Sequence, residues 1–96
     1  MEMKRVPGRA PEQNSPPGKE FVFRTHEGKE VGKAKNVTEF VALIKRVPLD
    51  SVLYHANGGH FAPWLDFMGQ RMAAAKSKSV KGTGEAVRQS LVAIFE

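Results

Sequence analysis

Between residues 48 and 69 the chain is punctuated at Pro48, at Asn57-Gly58-Gly59, at Pro63 and at Gly69. Proline lacks the amide that a helix interior needs, and Gly and Asn tolerate the left-handed backbone that closes a helix. Whatever forms here must be a set of short helices meeting at tight corners. The same region, LDSVLYHANGGHFAPWLDFMGQRM over residues 49–72, holds the only Trp, the only Tyr, two of the three His and the only Gly-Gly pair. Tyr54, His55, His60, Phe61, Trp64 and Phe67 fall within fourteen positions. The region is therefore both the expected hub of packing and the place to look for chemistry.

Asp50 is placed to cap a helix over residues 51–56, with Leu49, Val52, Leu53 and Ala56 as its packing groups. Pro63 suits a first helical turn, so a further helix is expected from about Ala62, burying Trp64, Leu65 and Met68. Upstream, Val37, Phe40, Val41, Leu43, Ile44 and Val47 recur at helical spacing. Asn36 and Glu39 read as a capping box, and Lys45 and Arg46 sit in the last turn, where the helix dipole favours cations. Still earlier, Phe21-Val22-Phe23 and Val31-Gly32-Lys33-Ala34 read as two strands turning at Glu27-Gly28, with Phe21, Phe23 and Val31 on the inner face. A lone hairpin is marginal in water, so it must pack on helices. Downstream, residues 70–78 favour helix and residues 79–84 form a loop. Thr83 is placed to cap a last helix, Glu85 to about Phe95, with Val87, Leu91 and Ile94 inward. The pattern predicts an α+β fold: an N-terminal β-hairpin packed on four to five short helices.

Residues 1–19 contain four of the six prolines and almost nothing apolar. Such a stretch cannot bury enough surface to offset its ordering entropy, and it reads as a disordered, Pro-rich basic tail ahead of a domain over residues 20–96. The formal net charge is +5. The balance favours acidic partners through long-range steering but is also what keeps many small domains soluble. There is no Cys, which removes disulfides and thiolate chemistry and fits a reducing, cytoplasmic setting. No apolar run approaches the roughly 20 residues that a membrane span needs, and the N-terminus lacks the apolar core of a secretory signal.

The pattern Tyr54-His55, a short polar loop, His60-Phe61, Trp64-Leu65 and Gly69, preceded by an amphipathic helix, resembles a family of small uncharacterised archaeal domains. These occur alone or appended to larger proteins, including glycosyltransferases. The likeness covers residues 20 to about 76. The family usually carries Asp or Asn where His60 stands, and an acidic residue where Gln70 stands. The resemblance implies the hairpin-then-helix order and a cytoplasmic, archaeal setting, and it brings no activity with it.

Five constellations bear on function. His55 and His60, with Asp66, offer two imidazoles and a carboxylate for a divalent metal; the plainer reading is a His55 bonded to a backbone carbonyl in the core and a His60 that caps or precedes the third helix. Ser51 and His55 stand four apart on one helix face, but a nucleophilic pair also needs an orienting acid and an oxyanion hole, and Ser near a helix start is usually a cap. Lys81-Gly82-Thr83-Gly84 before a helix is a candidate anion cradle without the full phosphate-loop spacing. Lys4, Arg5 and Arg9 in the tail, with Arg71, Lys76, Lys78, Lys81 and Arg88, are candidate phosphate contacts for nucleic acid. Tyr54, His55, His60, Phe61 and Trp64 are the candidate surface for a partner protein or small ligand, because aromatic groups dominate interface energetics.

The leading expectation is a small non-enzymatic binding or adaptor module that acts through that last group, without cofactor or metal and without membrane association. The alternative is a nucleic-acid-binding domain; a weaker one is a metal-dependent enzyme at His55/His60. Trp64 also tests the expected packing. Trp64→Ala should cost roughly 3–5 kcal/mol, as deletion of a large buried aromatic does, in urea unfolding; a change within error would place Trp64 at the surface.

Overall fold

The structure is a computed structural model, and it describes residues 14–96. Strands β1 (Phe21–Arg24) and β2 (Glu30–Ala34) are followed by helices α1 (Val37–Arg46), α2 (Leu49–Gly58), α3 (Phe61–Phe67), α4 (Arg71–Ser77) and α5 (Glu85–Phe95). The fold is α+β: one antiparallel hairpin and then five helices. The helices are as short as the punctuation requires. Gly59 (φ +71°) closes α2 and Gly69 (φ +83°) follows α3.

In the hairpin, Phe21 pairs with Ala34, Val22 with Lys33, Phe23 with Gly32 and Arg24 with Glu30, with a register shift between Phe23 and Arg24. The turn is closed by the Gly28 amide donating to the Thr25 carbonyl at 2.8 Å. His26 and Glu27 therefore hold its central positions, rather than Glu27 and Gly28, and Gly28 supplies the left-handed residue after them (φ +92°). The inner face also differs from expectation. Phe21, Phe23 and Ala34 are buried, while Val31 is only half-buried. Opposite Phe23 stands Gly32, where a Cβ would lie 3.0 Å from Leu43 Cδ2. The missing side chain lets α1 lie directly against β2.

α1 begins as expected. Asn36 Oδ1 accepts from the Glu39 amide at 2.8 Å, and Glu39 Oε1 accepts from the Lys35 amide at 3.0 Å. α2 begins earlier than expected, at Leu49, and Asp50 does not cap it. Its carboxylate accepts instead from the hairpin turn: the His26 amide at 2.9 Å and His26 Nδ1 at 2.8 Å. Already inside the first helical turn, Asp50 is favoured there by the helix dipole and is free to hold the hairpin. The His26 contacts, the backbone one first, keep its carboxyl below the ordinary range. Thr83 likewise caps nothing; Gly84 precedes α5 without a side-chain cap.

The core is aromatic. The Phe21 ring lies 4.8 Å from Phe23, 5.4 Å from Phe40, 5.3 Å from Phe61 and 5.8 Å from Trp64. Phe40 stacks on Trp64 at 5.2 Å. Leu65, Val52, Ile44 and Leu91 complete it, and α5 packs across α1, α2 and α4. Residues 14–19 belong to this body rather than to the expected tail. The Ser15 amide donates to the Lys35 carbonyl at 2.6 Å, and Trp64 Nε1–H donates to the Lys19 carbonyl at 2.9 Å. The rest of the expected tail, residues 1–13, lies outside the described residues.

Ser51 is wholly buried on α2, and its hydroxyl has no partner among the described residues. A buried hydroxyl without a partner bears its desolvation cost uncompensated. Ser51→Ala should therefore hold or raise stability in denaturant unfolding; a loss above about 1 kcal/mol would reveal a bond to that hydroxyl.

Candidate functional site at the end of helix α2

His55 sits one turn before the end of α2 and faces the hairpin. It is 5% exposed, walled by the rings of Phe21, Phe23 and Phe61 at 4.9, 5.9 and 5.7 Å. Its Nε2 accepts from the Arg24 backbone amide at 2.9 Å. An amide only donates, so this nitrogen carries the lone pair and, in the neutral ring, Nδ1 carries the hydrogen. That Nδ1 lies 3.0 Å from His60 Nδ1. His55 is then the donor and His60 the acceptor, which puts the His60 hydrogen on Nε2. A directed chain results: Arg24 amide to His55, His55 to His60. The expected bond from His55 to a carbonyl is replaced by one accepted from an amide.

His60 precedes α3, as expected, but makes no side-chain cap there. Its exposed ring lies over Gly58 instead, where a Cβ would stand 2.6 Å from Nε2. In the sequence Gly58 reads as part of a helix stop. The stop belongs to Gly59, and at Gly58 an added Cβ would meet the His60 ring. Tyr54, 39% exposed, meets both histidines edge-on at 4.9 and 5.0 Å. Tyr54, His55 and His60 thus form one corner.

Burial first, then the neighbouring His60 and Arg24 charges, hold the His55 imidazolium down to about pKa 4 from the ordinary 6.5. His55 is a neutral ring with both nitrogens engaged, and this bears on two of the candidate chemistries. A metal needs a lone pair that His55 has already given to Arg24, and among the described residues no group of three or more His, Asp or Glu is placed to hold an ion. A base for Ser51 needs the same lone pair, and Ser51 makes no bond to His55.

The other candidates separate by exposure. Phe61 (2%) and Trp64 (9%) are core, whereas Phe67 (55%) and Met72 (74%) face outward. Nothing in the spacing marked Met72; its outward place follows from Ala73, Ala74 and Ser77 taking the inner face of α4. Arg71, Lys76, Lys78 and Lys81 are exposed, and Lys4, Arg5 and Arg9 lie outside the described residues. Arg88 is not a free phosphate contact. Its Nη1 donates to the carbonyls of Ile44 and Val47 at 2.9 and 2.8 Å, and Glu85 neutralises it through Nε and Nη2 at 2.9 and 3.1 Å. It closes the end of α1. The Gly82 amide, the donor an anion cradle would need, is taken by Asn57 Oδ1 at 3.0 Å, while Asn57 Nδ2 holds the Gly82 carbonyl at 2.8 Å.

Compared with known proteins, the chain matches no family model, no curated protein and no solved structure. Among the described residues, no helix is long and apolar enough to cross a membrane.

Two outcomes test this geometry. The folded His55 pKa lies below the unfolded value, so the unfolded chain binds more protons at mildly acid pH. The stability from a neutral His55 is complete above pH 6.5 and is lost as pH falls toward 4. The full loss should be on the order of 3–4 kcal/mol, at 1.36 kcal/mol per pKa unit. Urea midpoints at pH 7.5 and 4.5 should differ in the wild type and differ less in His55→Gln; equal differences would contradict a buried neutral His55. Arg88→Ala should cost about 1.5–3 kcal/mol, as loss of hydrogen bonds from a charged group does, in the same assay.

Proposed function

We propose that the protein is a small non-enzymatic binding module, and that it takes a partner protein or small ligand at the Tyr54–His60 corner. One observation carries this reading: the buried His55 uses both nitrogens to hold β1 and His60, so what the corner offers outward is the His60 ring and the Tyr54 face. A half-exposed aromatic beside a fixed polar ring is the composition of an interface anchor. His55 is then the positioning residue, while Phe61 and Trp64 act from the core. The resemblance of Tyr54-His55, His60-Phe61, Trp64-Leu65 and Gly69 to the small archaeal domains supports a cytoplasmic setting and brings no activity with it.

A second reading has its own support. Residues 67–84 contain Arg71, Lys76, Lys78 and Lys81 and no acidic residue, and the exposed Phe67 stands beside them in sequence. Cations with an exposed ring suit single-stranded nucleic acid. Arg88 has no part in this version.

The two readings are separated by one set of variants. Affinity capture with the wild type, with Tyr54→Ala/His60→Ala and with Lys76→Glu/Lys78→Glu should give a species that the first double variant loses and the second keeps. Retention by both would remove the corner from function. Titration with single-stranded nucleic acid at two salt concentrations should show no binding; salt-sensitive binding lost in the Lys76/Lys78 variant would instead establish the second reading.

A further inference from the structure

The hydrogen-bond chain through His55 has room for one arrangement of protons only. The Arg24 amide fixes the lone pair of His55 on Nε2, and the His55 Nδ1–H then requires a lone pair on His60 Nδ1. A proton added at His60 Nδ1 removes the acceptor and sets two N–H groups against each other at 3.0 Å. A proton added at His55 Nε2 breaks the anchor to the hairpin. The two rings differ in surroundings. His60 is exposed and can carry its charge into water, whereas His55 is walled by Phe21, Phe23 and Phe61, and charging a buried ring is costly.

The groups around the pair oppose a charge or are neutral. Arg24 faces it from β1, Tyr54 flanks it on α2, and Phe61 closes it from α3. Lys81 stands next to Gly82, which Asn57 holds beside the end of α2. The one carboxylate of α2, Asp50, is engaged by His26 at the opposite end of that helix. Among the described residues no carboxylate bonds either imidazole of the pair, so no ion pair keeps a charged His60 in place.

We propose that the Tyr54–His60 corner is a proton-controlled surface: it presents a fixed His60 ring while His60 accepts from His55 over Gly58, and it gives up that fixed ring when His60 takes a proton and turns out into solvent. The hairpin stays anchored in that step, because the Arg24–His55 bond does not depend on His60. The corner changes from a neutral ring packed on Gly58 to a free cation beside Tyr54. A charge on His60 releases that ring with the fold intact, whereas a charge on His55 removes the hairpin anchor. This inference rests on the Tyr54–His60 reading of function, and it adds the control of that site.

The test uses the protein alone and reads the imidazole nitrogens by long-range proton–nitrogen spectra from pH 7.5 to pH 5. At pH 7.5 His55 should show a hydrogen-bonded Nδ1–H, and His60 should carry its proton on Nε2. As His60 becomes charged, the bonded His55 Nδ1–H signal should be lost, while the Arg24 amide keeps its exchange protection and the helical circular dichroism is unchanged. A His55 Nδ1–H that persists after His60 is charged overturns the proposal. So does loss of Arg24 protection in the same step, which would make the pair a stability element only. Gly58→Ala, which places a methyl where the His60 ring lies, should lose the His55–His60 signal already at pH 7.5 and remain helical; retention of that signal overturns the packing on which the proposal stands. His60→Ala should give the same His55 spectrum with no step between pH 7.5 and 5. If capture proves independent of Tyr54 and His60, the functional reading fails, whereas these spectra decide the proton control separately.

Discussion

The ring of Phe21 is where the fold is tied together. It touches Phe23 in its own strand, Phe40 of α1, His55 of α2, and Phe61 and Trp64 of α3. An isolated two-stranded hairpin does not hold in water. Burial of one Phe is worth about 1.5–3 kcal/mol, and edge-to-face pairs add about 0.5–1.5 kcal/mol each. Of the polar contacts between hairpin and helices, Arg24 to His55 is worth less, about 0.5–1.5 kcal/mol for an ordinary hydrogen bond, and His26 to Asp50 lies at the surface, where water screens it. Aromatic burial therefore holds the hairpin on, and the polar contacts set its orientation. The second role matters more for the site, since the Arg24 amide can choose the His55 tautomer only if β1 lies at one fixed distance from α2.

A buried histidine with two engaged nitrogens has given up most of its chemistry. It cannot bind a metal without losing a bond, and it has no lone pair with which to serve as a base. What it gains is control over its neighbour. His55 transmits the position of the hairpin to His60, a residue on the far side of the Gly58-Gly59 corner. The aromatic walls make the arrangement definite, because they deny His55 the charged state in which it would donate from both nitrogens. Core and corner are thus one structure: the packing that stabilises the fold is what gives the exposed imidazole a single orientation.

Much of this was legible in the sequence. The aromatic and β-branched residues before Gly28, the periodicity of Val37 to Val47, and the Pro and Gly punctuation after it gave the hairpin, α1 and the order of the helices, because these depend on local backbone preference and alternation of apolar groups. The inward places of Trp64, Leu65, Met68, Val87 and Leu91 followed from the same spacing. Several of the misjudged residues are polar ones whose role is set by something distant in sequence. Asp50 and Thr83 looked like caps, and Asn57 like part of a stop. Asp50 instead reaches a turn twenty-four positions earlier, and Asn57 a loop twenty-five positions later. Arg88 looked like surface charge and closes a helix forty-one positions away. A side chain able to cap locally can bond anywhere with the same geometry, so spacing alone does not choose between them. The site was half visible. The clustering of Tyr54, His55 and His60 pointed to the right corner, but the division into buried His55 and exposed His60 depends on which way α2 turns toward β1.

Gly58 shows how the two levels meet. A glycine before a second glycine at a helix end reads as conformational freedom, yet Gly58 lies within α2 and only Gly59 needs a left-handed backbone. An alanine at position 58, the last residue of α2, would suit the helix better, though by less than the gap of about 1 kcal/mol in a helix interior. The space that alanine would fill is the space His60 occupies. Helix propensity and the position of His60 therefore pull in opposite directions at this residue, and the glycine resolves the conflict in favour of His60. Such a residue is more readily understood as serving the corner than the fold, since the helix would gain from its replacement and only the His55–His60 contact would lose.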